Sequence, residues 1–171
     1  MALPKKLKYF NMFIDGDSYL GMIPELTLPK LSRKMEDYQG GGMPGSVSID
    51  LGLEAGALDM ELTMGGVDAR LLKKYGAPAA DAIQFRFSGS YQSEDTGEPV
   101  PVEVQTRGRY TEVDTGSAKM GDDTTNKFTL KNTYYKLTIS GEDVIEIDVI
   151  NAVFKVGGTD RMEQHRANMG L

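Results

Sequence analysis

Period-two alternation runs through most of the chain and is cleanest from Ser46 to Leu53. Val47, Ile49, Leu51 and Leu53 fall on one side there, and Ser46, Ser48, Asp50 and Gly52 on the other. That pattern predicts a half-buried strand. Leu58, Met60, Leu62 and Met64 alternate with Asp59, Glu61 and Thr63 and predict a second one. β-Branched and aromatic residues mark further strands over residues 83–91, 100–114, 127–139 and 144–156. Near the start, strands over 7–14 and 18–28 flank Asp15-Gly16, a hairpin signal, and Ser140-Gly141 marks another turn.

Several of these segments are long. At ~3.3 Å per residue, 127–139 spans on the order of 40 Å, about twice the common strand length. A strand that overhangs a small sandwich leaves backbone groups unpaired at its edge, and neighbouring subunits satisfy such groups by extending the sheet. The pattern therefore points to assembly. Two short helices are expected. The first has Asp68 as N-cap, Leu71, Leu72 and Tyr75 as apolar face, Gly76 as stop and Pro78 beyond. The second starts at Asp160, with Glu163 three positions on as in a capping box, and places Met162, His165 and Met169 on one face. Between the strands, a charged arm over 29–45 ends in a glycine-rich bend. The loops at 40–45 and 115–126 are the candidates for mobility. No repeat, low-complexity tract or linker divides the chain, so residues 1–171 are expected to form one mainly β domain of the sandwich or barrel kind.

Composition narrows the function. With 171 residues and no cysteine, neither disulfides nor thiolate metal sites hold the fold, and folding in a reducing compartment is expected. The basic N-terminus lacks the apolar segment of a signal peptide, because Asn11, Asp15 and Asp17 interrupt it. No apolar run approaches the roughly 20 residues that cross a bilayer as a helix. A formal net charge of −6 disfavours a surface built to grip phosphates. It suits a surface along which DNA slides, since backbone affinity comes largely from cationic contacts that release counterions.

The chemical motifs are weak. Gly40, Gly42 and Gly45 match the spelling of a dinucleotide fingerprint, but the third glycine leads into the alternation of a strand instead of opening a helix. The glycines are better explained as a sharp bend. Asp122-Asp123, Asp15-Gly16-Asp17 and Glu142-Asp143 lack the ligand spacing of a calcium loop and are expected to be solvated turns. His165 is the only histidine, and no thiol, G-x-S-x-G or second histidine completes a nucleophile or metal set. It is expected to pack against the core or a partner. No enzyme, cofactor or metal site is expected. Lys30, Arg33, Lys34 and Tyr38 beside Glu36 and Asp37, and Arg107 and Arg109 beside Glu103 and Glu112, mix both signs, which fits complementary contacts between subunits better than nucleic-acid binding.

Five segments in order, Leu-Thr-Leu-Pro-Lys-Leu (26–31), Asp-Leu-Gly-Leu (50–53), Gly-Ser-Tyr-Gln (89–92), Asp-Thr-Gly-Glu-Pro-Val-Pro-Val-Glu-Val (95–104) and Asp-Arg-Met-Glu-Gln-His-Arg (160–166), carry a resemblance over nearly the whole chain. Together with Arg-Gly-Arg (107–109) and Asp-Thr-Gly (114–116), they resemble the major tail tube proteins of contractile phage tails and of the related R-type bacteriocins. The resemblance implies a hexameric ring whose strands join across subunits into a large inner β-barrel. Rings would stack head-to-tail into a hollow tube in the virion tail, assembled in the host bacterial cytoplasm. Sheath, tape-measure, baseplate and terminator proteins would be partners, and DNA or ions the cargo. On that expectation Asp50, Asp59, Glu61 and Glu103 are candidate lumen residues. Lys30, Arg33, Lys34, Glu36, Asp37, Tyr38, Arg107, Arg109 and His165 are candidate contacts between subunits. The competing expectation is a soluble β-sandwich binding or adaptor module that stays a single copy.

Overall fold

The longest alternating segments become long antiparallel strands, and the computed structural model, which describes Met1 to Leu171, builds one large sheet from them. In chain order the elements are β1 (Lys6–Ile14), β2 (Asp17–Ser18), β3 (Glu25–Thr27), β4 (Arg33–Tyr38), β5 (Val47–Leu53), β6 (Met60–Met64), α1 (Ala69–Leu72), β7 (Ile83–Gln92), β8 (Pro99–Asp114), β9 (Asn126–Ile139), β10 (Glu142–Asp148), β11 (Val153–Val156), β12 (Thr159–Asp160) and α2 (Glu163–Met169). The main sheet runs β12-β11-β10-β9-β8-β7-β1-β2, and β6 with β3 joins along β9. The length of β9 has a cause: its first half lies between β8 and β6, its second half between β8 and β10.

One side of this sheet is the core. Met12 and Ile14 from β1, Phe85 and Phe87 from β7, Tyr110 from β8, Phe128 and Leu130 from β9, and Met60, Leu62 and Met64 from β6 form one buried cluster. Because β1 and β6 are far apart in the strand order yet share that cluster, the sheet curls around it in a barrel-like way. Phe85 meets Tyr110 edge-to-face and Tyr110 meets Phe128 at a tilt, with centroid distances of 5.8 and 5.2 Å. Gly108 lets β8 and β9 approach at a bulge: a Cβ there would meet the Lys131 carbonyl oxygen at 2.2 Å. Both turns expected from sequence have the left-handed backbone they need, at Asp15 (φ 49°) with Gly16 and at Ser140 (φ 51°) with Gly141.

Several expectations are corrected. The strand over 18–28 is broken: Tyr19 turns into the core, Gly21 takes φ +78°, and only β2 and the three-residue β3 pair. The strand over 144–156 is a hairpin, because the Asp148 carboxylate accepts the Ile150 and Asn151 N–H groups and turns the chain. The second helix begins at Glu163 and not at Asp160, which sits in β12 and binds Arg166 instead of acting as the cap of a capping box. Tyr75 is exposed, off the apolar side of α1, whereas Asp68 caps that helix by accepting the Arg70 N–H at 2.8 Å. Asn126 leaves the loop for the buried start of β9 and donates to the Gly66 carbonyl oxygen. Glu142 and Asp143 open β10, and Asp143 accepts from the Thr138 hydroxyl at 2.9 Å. Asp15-Gly16 is the exposed turn expected, and there Asp15 also accepts the Gln84 N–H and pairs with Lys74 at 2.5 Å.

Candidate functional site

The charged arm and the strand after it form a two-stranded hairpin, β4 with β5, that belongs to no larger sheet. The alternation of β5 predicts a half-buried strand, yet Val47, Ile49 and Leu51 are 52%, 43% and 52% exposed, so no part of the same chain covers that side. Tyr38 and Met35 are exposed as well. Opposite residues share a face, so Tyr38 and Glu36 stand with Val47 and Ile49, while Met35 and Asp37 stand with Asp50 and Ser48. The glycine-rich bend is the hairpin's tip, closed by the Met43 N–H donating to Gly40.

The hairpin base is tied down by charge. Arg33 Nε donates to both Asp50 carboxylate oxygens, at 3.2 and 2.9 Å, and the Gly52 N–H donates to Asp50 Oδ1 at 2.8 Å. The Arg33 hydrogen bond, and then the Gly52 N–H, hold the Asp50 carboxyl below its ordinary range. Gly52 supplies φ +112° for the irregular step between Arg33 and Met35. The Arg33 guanidinium also lies 5.0 Å from the Phe154 ring centroid on β11, which seats the base against the main sheet. Between them is a cleft of about 570 Å³, lined by Arg33, Leu53, Phe154, Arg161, Met162 and His165 among others. Arg33 and His165, far apart in sequence, thus border one cleft. His165 itself is exposed on α2, not packed in the core. Helix α2 buries no residue. It is held by Arg166, which donates to Asp160 at 2.5 Å and to the Ala152 carbonyl at 2.8 Å. That Arg166 bond, with the Met162 N–H second, lowers the Asp160 pKa.

The main sheet's other side is a continuous polar face. Its central row runs across seven strands in register: Phe13, Arg86, Gln105, Lys136, Glu146, Lys155 and Asp160. Asp59 with Lys131, Glu61 with Lys127 (3.6 Å) and Glu103 with Gln105 (2.5 Å) lie on the same side. Asp50 does not: of the four candidate lumen acids it alone stands on the hairpin. Arg107 lies 4.0 Å from the Tyr134 ring centroid and 3.6 Å from Asp148, and Arg109 Nη1 donates to the Pro78 carbonyl at 3.0 Å. Both arginines therefore have partners within the chain. Burial opposes ionisation of Asp148, but hydrogen bonds from Asn151 and the Arg107 charge overcome it and keep the pKa low.

Two features went unrecognised in the sequence. The row Arg86, Gln105, Lys136, Glu146 and Lys155 has a period-two signal in each strand, but only the pairing register lines the residues up. The outer edge of β1 is the second. From Lys6 to Asn11 it pairs with β7 on one side only, because β2 covers just Phe13 and Ile14. Tyr9 is 79% exposed there.

The arrangement is one of surfaces, with an uncovered polar face, an apolar hairpin and an open strand edge.

The family model described as phage tail tube protein FII matches residues 4–170. The chain is 52% identical over 172 aligned positions to the tail tube protein of Escherichia phage P2, covering 100% of both. It is 49% identical over 158 positions to the major tail tube protein of Serratia phage KSP20, covering 92% of this chain and 91% of that one. Among solved structures, a chain in the six-fold symmetrised cryo-EM structure of the anti-feeding prophage baseplate superposes with a TM-score of 0.55 at 13% identity, over 81% of this chain and 97% of that one, a likeness of fold.

Proposed function

The chain belongs to the phage tail tube protein FII family and is a structural subunit of a virion tail tube; we propose that six copies close into a ring and that rings stack head-to-tail into a hollow conduit. One observation carries the reading. The same chain holds an apolar hairpin half exposed to solvent and a broad polar sheet face that no element covers, the two surfaces a subunit of a water-filled pipe requires. Closing the sheet through sister copies removes its lateral edges, and a heterologous contact between rings grows a filament until something caps it.

On this reading the polar face, with Asp59, Glu61 and Glu103, lines the lumen. Glu61, Asp59 and Asp143 pair with Lys127, Lys131 and Lys136, and Glu103 accepts from Gln105 on its own strand, so the wall is hydrated and these three lysines are engaged by acids instead of being free to hold phosphate. The hairpin, with Lys30, Arg33, Lys34, Glu36, Asp37 and Tyr38, makes contacts between subunits, and the cleft beside His165 is available to the same neighbours. The outer surface would meet a contractile sheath, tape-measure protein would fill the lumen during assembly in the host cytoplasm, and baseplate and terminator proteins would close the ends. Sheath contraction then drives the tube through the envelope, and DNA, or ions in a headless particle, pass through. The tube itself performs no reaction. Negative-stain microscopy of the purified chain tests this: rings or tubes about one subunit thick in the wall are expected, and a single-copy species at every concentration overturns it.

A further inference from the structure

We propose that β4 of one copy adds as a strand to the open β1 edge of a second copy, with Met35 against Tyr9 and Asp37 against Lys6; this rests on the tube-subunit reading and names the contact that joins its copies. The two edges match in extent. β4 has six residues and pairs only with β5, and the uncovered part of β1, Lys6 to Asn11, is also six residues long. Each presents unpaired backbone donors and acceptors, which strand addition satisfies.

Donor and acceptor do not meet within one chain. Arg33 pins the hairpin base to Phe154 on β11, whereas β1 lies beyond β10, β9, β8 and β7 in the sheet order. A contact between two different surfaces of identical copies is heterologous, so it propagates around a ring or along a filament.

Charge and apolarity fix the register. Lys6 on the acceptor and Asp37 on the donor have no ion pair in the chain, although Asp37 accepts from the Ser48 hydroxyl, while Lys8 is held by Glu94. Lys8 is the extra residue at the bulge between Leu7 and Tyr9, so Lys6 and Tyr9 both face the polar side, opposite Gln92 and Ser90. An antiparallel pairing that sets Met35 beside Tyr9 carries Asp37 to Lys6. It also turns the Val47, Ile49 and Leu51 stripe to the side of Leu7 and Phe10, where a groove of about 510 Å³ is lined by those two with Leu26, Leu28, Phe87 and Tyr91. A slip of one residue would press the apolar stripe onto the polar face and lose the Asp37–Lys6 pair; in the proposed register Glu36, on the stripe's side, falls opposite Leu7.

The chain has no cysteine, which makes disulfide trapping specific. Met35→Cys and Tyr9→Cys combined, oxidised mildly after assembly, should give a ladder of covalent oligomers on non-reducing gels. Neither single variant should give one, and Glu36→Cys with Tyr9→Cys should cross-link at least ten-fold less. Both positions are exposed, so the variants keep the fold. Normal tubes of Met35→Cys, Tyr9→Cys without a ladder, a cross-link confined to single copies, or equal ladders from the Glu36 control would overturn the pairing while leaving the tube intact. If the unmodified chain forms no tubes, it is the tube reading that fails.

Discussion

Replacing Val47, Ile49 and Leu51 together by threonine should leave the subunit folded and cripple its assembly. Threonine keeps the β-branched preference for a strand, so the hairpin itself is retained. The three side chains are about half exposed and lie outside the buried cluster, so the melting temperature of the unassembled subunit should stay within about 2 °C of the parent. Assembly is another matter. Full burial of a Val, Leu or Ile is worth about 1.5–3 kcal/mol, and completing burial from the half-exposed state adds on the order of 1 kcal/mol each. Because threonine keeps a methyl group, the triple loss is roughly 2–3 kcal/mol per added subunit. At 1.4 kcal/mol per factor of ten, the critical concentration for polymerisation rises about 30–140-fold. Pelleting at a series of protein concentrations, with the soluble fraction measured at steady state, gives that number directly. A critical concentration within about three-fold of the parent, with the melting temperature unchanged, would refute the claim that this stripe is buried between copies.

Gly108→Ala should cost roughly 2–3 kcal/mol, because the new methyl meets backbone at the β8–β9 bulge and not a side chain that can swing away; a fall of about 5–10 °C in thermal unfolding checks it, and no shift counts against the close approach. Acidification should loosen the hairpin base and α2. Asp50 and Asp160 are depressed by Arg33 and Arg166, so their stabilisation is complete above the unfolded carboxyl value of about 3.9 and is lost as pH falls through the lower folded values; thermal unfolding at pH 6, 4 and 3 that stays flat would contradict this. Converting Asp59, Glu61 and Glu103 to lysine frees cations on the polar face and should slow DNA passage, most at low salt, as measured by ejection rates from assembled particles. Unchanged rates would place the lumen elsewhere.

The hairpin illustrates how far alternation can be trusted. Val47 to Leu53 has the two-sided pattern of a buried strand, and it is a strand, but its apolar side faces solvent in the single chain. A hydrophobic stripe records that a surface will be buried, not by whom. The arm before it hid a strand because Arg33 to Tyr38 carries four charges and no alternation, and its pairing is dictated by β5 across the turn. At 144–156 the apolar run continues through Val149 and Ile150, and only the Asp148 carboxylate, folding back on two N–H groups, reveals the turn. The candidate acids divide for a similar reason. Period-two spacing says that Asp50, Asp59, Glu61 and Glu103 each oppose an apolar side, yet strand register alone sets three on the common face and leaves one on the hairpin.

Local chemistry was enough to specify the β class, both tight turns and the capped first helix, because each depends on side chains a few residues apart. The ordered motifs went further and pointed to the family. Which edges stay open, which charged rows align and where the hairpin is anchored depend on residues such as Phe13 and Asp160, or Arg33 and Phe154, that lie more than a hundred positions apart. Those relations follow from the pairing order of the strands and the curl of the sheet, which place distant segments side by side and carry no signature in the run of residues within any one of them.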